Sequence, residues 1–239
     1  MQKISFQSDN LTIRGTLVFP GGEITEPLPG VIIFHGMTSS ENSYIPLAEL
    51  LAKDGMVGLA ISMRGHGRSD GDFNKETVAA ATNDALAAYD FLAELPIIDI
   101  NKIGMVGSSV GAILAATATS GRDIASLVLR APAAYTSEMM QISMAATMTN
   151  EEKQFHEIEK LSATPAGKCI EKFGGDLLVV ASEKDHLIPT SITEGYIDTA
   201  NHASTKKLEI IKGASHQLIN LVWQKEFNQL AVNWFKKSL

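Results

Sequence analysis

Residues 102–111 read Lys102-Ile103-Gly104-Met105-Val106-Gly107-Ser108-Ser109-Val110-Gly111. An apolar, β-branched run ends in a glycine, two serines and a second glycine, and a stretch carrying Ala112, Ala115, Ala116 and Ala118 follows. G-x-S-x-G alone is a common pattern. Set between a strand and a small-residue helix, it describes a sharp strand-to-helix turn. Glycines at 107 and 111 remove side chains that would collide where the backbone reverses and strand and helix close up. Ser109 is then expected in a strained conformation, its hydroxyl projecting above the sheet. The helix start also places backbone N–H groups and the positive end of the dipole beside any anion that develops there. The competing reading, a glycine-rich turn in which Ser109 merely caps the helix, leaves both flanks unexplained. Ser108 is a second hydroxyl, but no glycine stands two places to either side of it.

Outward from this turn, short apolar runs alternate with longer helical patterns. Strands are expected at Lys3 to Gln7 and Leu11 to Phe19, joined by a tight hairpin at Ser8-Asp9-Asn10, then at Val31 to Phe34, Val57 to Ser62, Lys102 to Val106 and Ser126 to Ala131. Later strands are Leu177 to Ala181 and Lys207 to Ile211. Helices are expected at about Glu41 to Lys53, Thr77 to Ala93, Val110 to Thr119, Ser191 to Thr199 and Leu221 to Lys236. Such alternation with short joins predicts an α/β fold, a mostly parallel twisted sheet of about eight strands with helices on both faces. Residues 1–239 read as a single domain. From about 134 to 174 the rhythm breaks into helical patterning without a strand, which reads as a small cap inserted at the sheet's carboxyl edge, where ligands of open α/β sheets bind. Its first half holds Met139, Met140, Met144 and Met148, while Glu151 to Lys160, including His156, is expected to face solvent. Methionines at helical spacing are ordinary core filling more often than a ligand surface. As cap residues, Met140 and Met144 are nevertheless candidates for an acyl pocket.

A serine hydroxyl needs a base, normally a histidine oriented by a carboxylate. Asp185 follows the strand Leu177 to Ala181, and His216 follows the strand ending at Ile211, so the order Ser109, Asp185, His216 is the one this topology requires. Glu183 competes with Asp185 for the acid. His202 precedes its strand, and His186 adjoins the acid at the pocket rim. Donors for an oxyanion are expected from the backbone N–H of Val110 and, across the site, of Met37 in the turn Phe34-His35-Gly36-Met37. His35 is tempting as a base, yet an imidazole there more simply holds the turn. Together with Ser108 it is a candidate lining residue.

Bulk numbers exclude other classes. The 20 Lys and Arg against 27 Asp and Glu leave a net charge of −7 with no basic cluster, which argues against nucleic acid and anionic membrane partners. The first residues lack a signal-peptide pattern and no apolar run reaches membrane-span length, so a cytoplasmic protein is expected. One cysteine and six histidines without ligand spacing imply neither a metal nor another cofactor. The expected partner is a small-molecule acyl substrate; the oligomeric state is open, and a homodimer is compatible with it.

These motifs together resemble the α/β-hydrolase superfamily over nearly the whole chain. They are His35-Gly36, Arg64-Gly65-His66-Gly67-Arg68-Ser69, the turn at 107–111, Asp185 with Ile188-Pro189, and His216. More narrowly, Arg64 through Phe73 with Ala131-Pro132-Ala133-Ala134 is similar to small cinnamoyl or feruloyl esterases and to serine aminopeptidase-like (S33-type) hydrolases. The resemblance implies a serine hydrolase, with carboxylesterase action foremost. Thioesterase, amidase or peptidase and carbon–carbon hydrolase activity share the same triad, and a non-catalytic binding module on this fold is the rival of another class. Two departures stand out. Ser62, two places before Arg64, occupies a position where many relatives have Asp, so a supporting salt bridge in that loop is expected to be missing, and Ser108 stands where relatives often have His.

Overall fold

The computed structural model describes residues 1–155 and 158–239, the side chains of 150–154 excepted. The eight strands are β1 (Gln2–Ser8), β2 (Leu11–Val18), β3 (Leu28–Phe34), β4 (Val57–Ser62), β5 (Ile98–Ser108), β6 (Ser126–Arg130), β7 (Asp176–Ser182) and β8 (Thr205–Ile211). They form one sheet in the order β1-β2-β4-β3-β5-β6-β7-β8, with β2 antiparallel to both neighbours and β3 through β8 parallel. Ser8 pairs with Leu11, so the hairpin turn is the two residues Asp9-Asn10, with Asp9 at φ 53°.

Helices α1 (Ile45–Lys53), α2 (Val78–Ala93), α3 (Val110–Ala118), α4 (Met144–Phe155), α5 (Pro165–Lys172), α6 (Thr190–Thr199) and α7 (Leu221–Ser238) complete the chain. Alternation along each central strand divides the core between two faces. Ile32, Phe34, Met105, Leu127, Leu129, Leu177 and Val179 meet α2, α3, α5 and α6 on one side. Val31, Ile33, Val106, Val128, Leu178 and Val180 meet α1 and α7 on the other. This is why β3, β5, β6 and β7 are continuous apolar runs: both of their faces are covered.

Several elements differ from expectation, and three of the differences have a clear cause. β5 extends back to Ile98 because its first residues pair with Leu28 across an irregularity in register. The segment expected as a helix from Glu41 begins as a 3-10 turn, Glu41–Tyr44, and turns regular only at Ile45, with Pro46 in the first α-helical turn where a missing N–H costs nothing. In the stretch expected to be an insert, α5 lies against α3 with Ala166 and Ile170 buried. It therefore belongs to the helical layer, and Met139 and Met140 of the 3-10 turn Met139–Gln141 and Met144 of α4 are buried in the same cluster. His156 and the charged side chains from Glu151 to Lys153 fall outside the described residues. No helix among the described residues is long and apolar enough to cross a membrane.

Candidate active site

The carboxyl ends of β3, β5, β6, β7 and β8 lie side by side, because Phe34 pairs with Gly107, Ser108 with Arg130, Arg130 with Val180 and Ser182 with Ile211. The loops leaving these ends therefore converge. Ser109 sits at φ 52° and ψ −117°, a conformation that L residues avoid, and directly starts α3. The two glycines make the turn feasible. A Cβ on Gly107 would stand 2.2 Å from the Gly111 carbonyl oxygen, and one on Gly111 would stand 2.5 Å from the His35 carbonyl oxygen.

The Ser109 hydroxyl donates toward His216 Nε2 at 3.2 Å, and His216 Nδ1 donates to Asp185 Oδ2 at 2.8 Å. The other carboxylate oxygen of Asp185 accepts from the Leu187 and Ile188 amides at 3.0 and 2.9 Å. Burial pushes the Asp185 carboxyl upward. The hydrogen bond and charge of His216 and the two amides outweigh it, and the acid lies below the usual carboxylate range. Glu183, the rival acid, points elsewhere: it is exposed, and its carboxylate accepts from the Gly213 amide at 2.7 Å, bracing the turn that carries His216.

Across the site, His35 is fully buried. Met63 N–H donates to its Nε2 at 3.1 Å, so Nδ1 carries the proton and donates to the Gly36 carbonyl at 2.7 Å. Burial first, then the neighbouring His66, lowers its pKa to about 3, leaving the ring neutral. Because the peptide is planar and trans, fixing the Gly36 carbonyl fixes the Met37 N–H at the opposite end of the same group. His66 Nε2 holds the Met37 carbonyl in turn. Met37 lines a cleft of about 610 Å³ together with Ser109, His216, Arg130, Met148 and Leu187. The Val110 amide, at the first position of α3, has no acceptor within the helix.

Several expected lining residues stand elsewhere. His35 is sealed beneath the turn. Ser108 is fully buried and its hydroxyl accepts from Arg130 Nε at 3.1 Å. Met144 is core, and Met140 borders a separate cavity of about 330 Å³ with Ala79, Leu86 and Cys169. His186 is exposed, and its neighbour Leu187 reaches the cleft instead. Met144 and Met148 stand one turn apart on α4, yet Met144, at the helix start, is fully buried and Met148 is 42% exposed. The loop in which Ser62 implied a missing salt bridge is ion-paired from other elements. Arg64 pairs with Asp84 of α2 at 2.7 Å and with Asp9 at 2.8 Å, while Ser62 hydrogen-bonds Glu41. Arg130, a lone charge at the end of an apolar strand, was the sequence signal for a residue that reasoning from motifs passes over.

A family model described as serine aminopeptidase, S33, matches residues 25–164. An uncharacterized protein of Mycobacterium tuberculosis is 26% identical over 190 residues, which are 79% of this chain and 63% of that protein. The chain thus spans a little under two thirds of the length of that relative. Among solved structures, an esterase of Pyrococcus furiosus matches with a TM-score of 0.76 and 21% identity, over 99% of this chain and 92% of that one. Est1E of Butyrivibrio proteoclasticus, with ferulic acid bound, matches with a TM-score of 0.73 and 20% identity, over 98% of this chain and 96% of that one. At such identities these two likenesses concern the fold.

Proposed function

The chain belongs to the serine aminopeptidase S33 family of hydrolases and has the α/β-hydrolase fold, and from that premise we propose that it is a serine hydrolase, a carboxylesterase that cleaves small esters through an acyl-enzyme. The observation that carries this reading is the hydrogen-bonded series Ser109, His216, Asp185 with Ser109 held at φ 52°.

In the proposed cycle Ser109 Oγ attacks the ester carbonyl while His216 Nε2 takes its proton. Asp185 keeps the imidazole in the required tautomer and balances its positive charge. The carbonyl oxygen becomes an oxyanion, received by the Met37 and Val110 N–H groups at the dipole-positive start of α3. Collapse breaks the bond to the alkoxide, which leaves as alcohol with the proton from His216. A water deprotonated by His216 then attacks the acyl-enzyme, and the acid departs as Ser109 regains its proton.

The family's name raises an aminopeptidase as the competing activity. Holding a peptide's α-ammonium calls for a carboxylate, and no Asp or Glu side chain lines the cleft among the described residues. Arg130 there would repel an ammonium, so the ester reading is preferred. Ser109→Ala is expected to lower p-nitrophenyl ester turnover by about 10⁴-fold or more while circular dichroism stays native. Undiminished turnover in that variant refutes the assignment. Failure of wild-type Ser109 to react with a fluorophosphonate would instead favour a binding module.

A further inference from the structure

Four of the five arginines are ion-paired: Arg14 with Asp70, Arg64 with Asp84, Arg68 with Glu41 and Arg122 with Asp90. Arg130 has no carboxylate partner among the described residues, although it is only 6% exposed. Its Nε donates to Ser108 Oγ and its Nη1 to the His216 carbonyl. Its Nη2 has no protein acceptor among the described residues. Among the described residues the sealed side-chain atoms without a partner are Ser182 Oγ and Ser215 Oγ, so Nη2 is not fully sealed, and Arg130 lines the cleft. A guanidinium stays charged at any working pH, and a buried charge left unpaired is costly. The rest of the described lining mixes hydroxyls and amides, among them Thr38, Ser43, Gln217 and Asn228, with apolar side chains such as Leu218 and Phe227, and includes no acidic side chain. The cleft that Ser109 lines therefore also holds a fixed positive charge with free donor capacity.

We propose that Arg130 is the carboxylate-binding subsite of the acyl pocket, and that the substrates are esters whose acyl part ends in a second, free carboxylate. The proposal rests on the esterase reading for the reaction and on Arg130 for the specificity. Arg130 and Ser108 are paired across adjacent strands, and Ser109 N–H donates to the Arg130 carbonyl at 3.0 Å. Ser109 and Arg130 also line the same cleft, and a glutaric monoester carries its free carboxylate on a flexible chain of three methylenes. The ester carbonyl then meets Ser109 Oγ while the distal carboxylate meets Nη2. The same guanidinium holds the backbone of His216, so it acts on the base as a positioning residue as well.

Two measurements separate these roles. The first compares kcat/KM for mono-p-nitrophenyl glutarate and for p-nitrophenyl pentanoate, each corrected for spontaneous hydrolysis. Wild type is expected to prefer the anionic ester, and Arg130→Gln to reduce that preference about 10- to 100-fold through KM, with Arg130→Lys in between. A purely positioning role would lower both rates and leave the ratio unchanged, which overturns the proposal. The second titrates glutarate and uncharged glutaramide into Ser109→Ala by calorimetry, where no turnover is needed. Glutarate alone is expected to bind, and Ser109→Ala/Arg130→Gln to lose it; equal binding of the two ligands refutes the subsite. Should wild type hydrolyse neither ester, the esterase reading fails, while the calorimetry still decides the subsite. Should Arg130→Gln not fold, the Arg130→Lys ratio and the glutarate-against-glutaramide comparison decide it.

Discussion

Ser108 and Ser109 carry the same hydroxyl one residue apart, and the backbone alone separates them. Ser108 ends a strand with its side chain buried against Arg130, whereas Ser109 is bent to φ 52° and its hydroxyl meets His216. An analogous division separates the histidines. His216 is held between a hydroxyl and a carboxylate, so its protonated form has a counter-charge beside it. His35 lies between an amide donor and a carbonyl, and burial keeps it neutral down to about pH 3. The unfolded chain binds a proton at His35 below about pH 6.5 while the native state does so only near pH 3, so between those values the unfolded state holds more protons. Stability therefore falls with falling pH, by about 1.4 kcal/mol per unit from this group. In His35→Gln, urea unfolding between pH 7 and 4 is expected to show a shallower pH dependence than in wild type, whatever its absolute stability. Parallel curves would remove His35 from the account. For Asp185, whose carboxyl is depressed, Asp185→Asn is expected to cut kcat by about 10⁴-fold by presenting the wrong partner to Nδ1 of His216. Steady-state kinetics at pH 8 read this directly.

At the scale of elements, the turn from β5 to α3 is legible in residues 107–111 because its requirement is steric and local. A methyl at 107 has nowhere to go. Gly107→Ala is expected to destabilise by about 1–3 kcal/mol or more, measured as a lowered midpoint in urea, and to misplace Ser109. The segment from Pro132 to Gly175 was much less legible. Its helical spacing is shared by α5, which fills the framework layer, and by α4, which borders the cleft, and periodicity cannot say which wall a helix meets. Met148 reaches the cleft on α4, whereas Met144 is fully buried. Met148→Ser is expected to shift the acyl-length profile of p-nitrophenyl esters about three- to tenfold. Met144→Ala is expected to cost about 2–5 kcal/mol of stability without moving that profile. An unaltered profile in Met148→Ser would exclude this residue from the acyl pocket.

For the whole molecule, the strand order places β5 near the centre and its neighbours' loops around Ser109. Asp185, 76 positions downstream of Ser109, and His216, a further 31 positions on, are brought together because β6, β7 and β8 are added in register, one strand at a time. The core on one face depends on α7, whose Phe235 ring would touch a Cβ placed on Gly104 at 2.6 Å. Phe235→Ala is expected to cost about 3–5 kcal/mol, seen as a lowered thermal midpoint with kcat/KM at 25 °C retained. A loss of activity without a loss of stability would mean that α7 acts on the site rather than on the core.

Hydrophobic alternation, glycine spacing and the chain order of Ser109, Asp185 and His216 are properties of neighbouring residues. The sequence by itself therefore determined the sheet, the turn at Ser109 and the three groups that gather there. Partnerships across the fold are not local. Only the tertiary structure decided that Arg64 takes its counter-charge from Asp84, that His35 and Ser108 are sealed under the site, that Met148 rather than Met140 borders the cleft, and that Arg130 lines it without a carboxylate partner among the described residues. Each depends on which elements become neighbours and on the side from which they approach, information that a pattern of spacings does not carry.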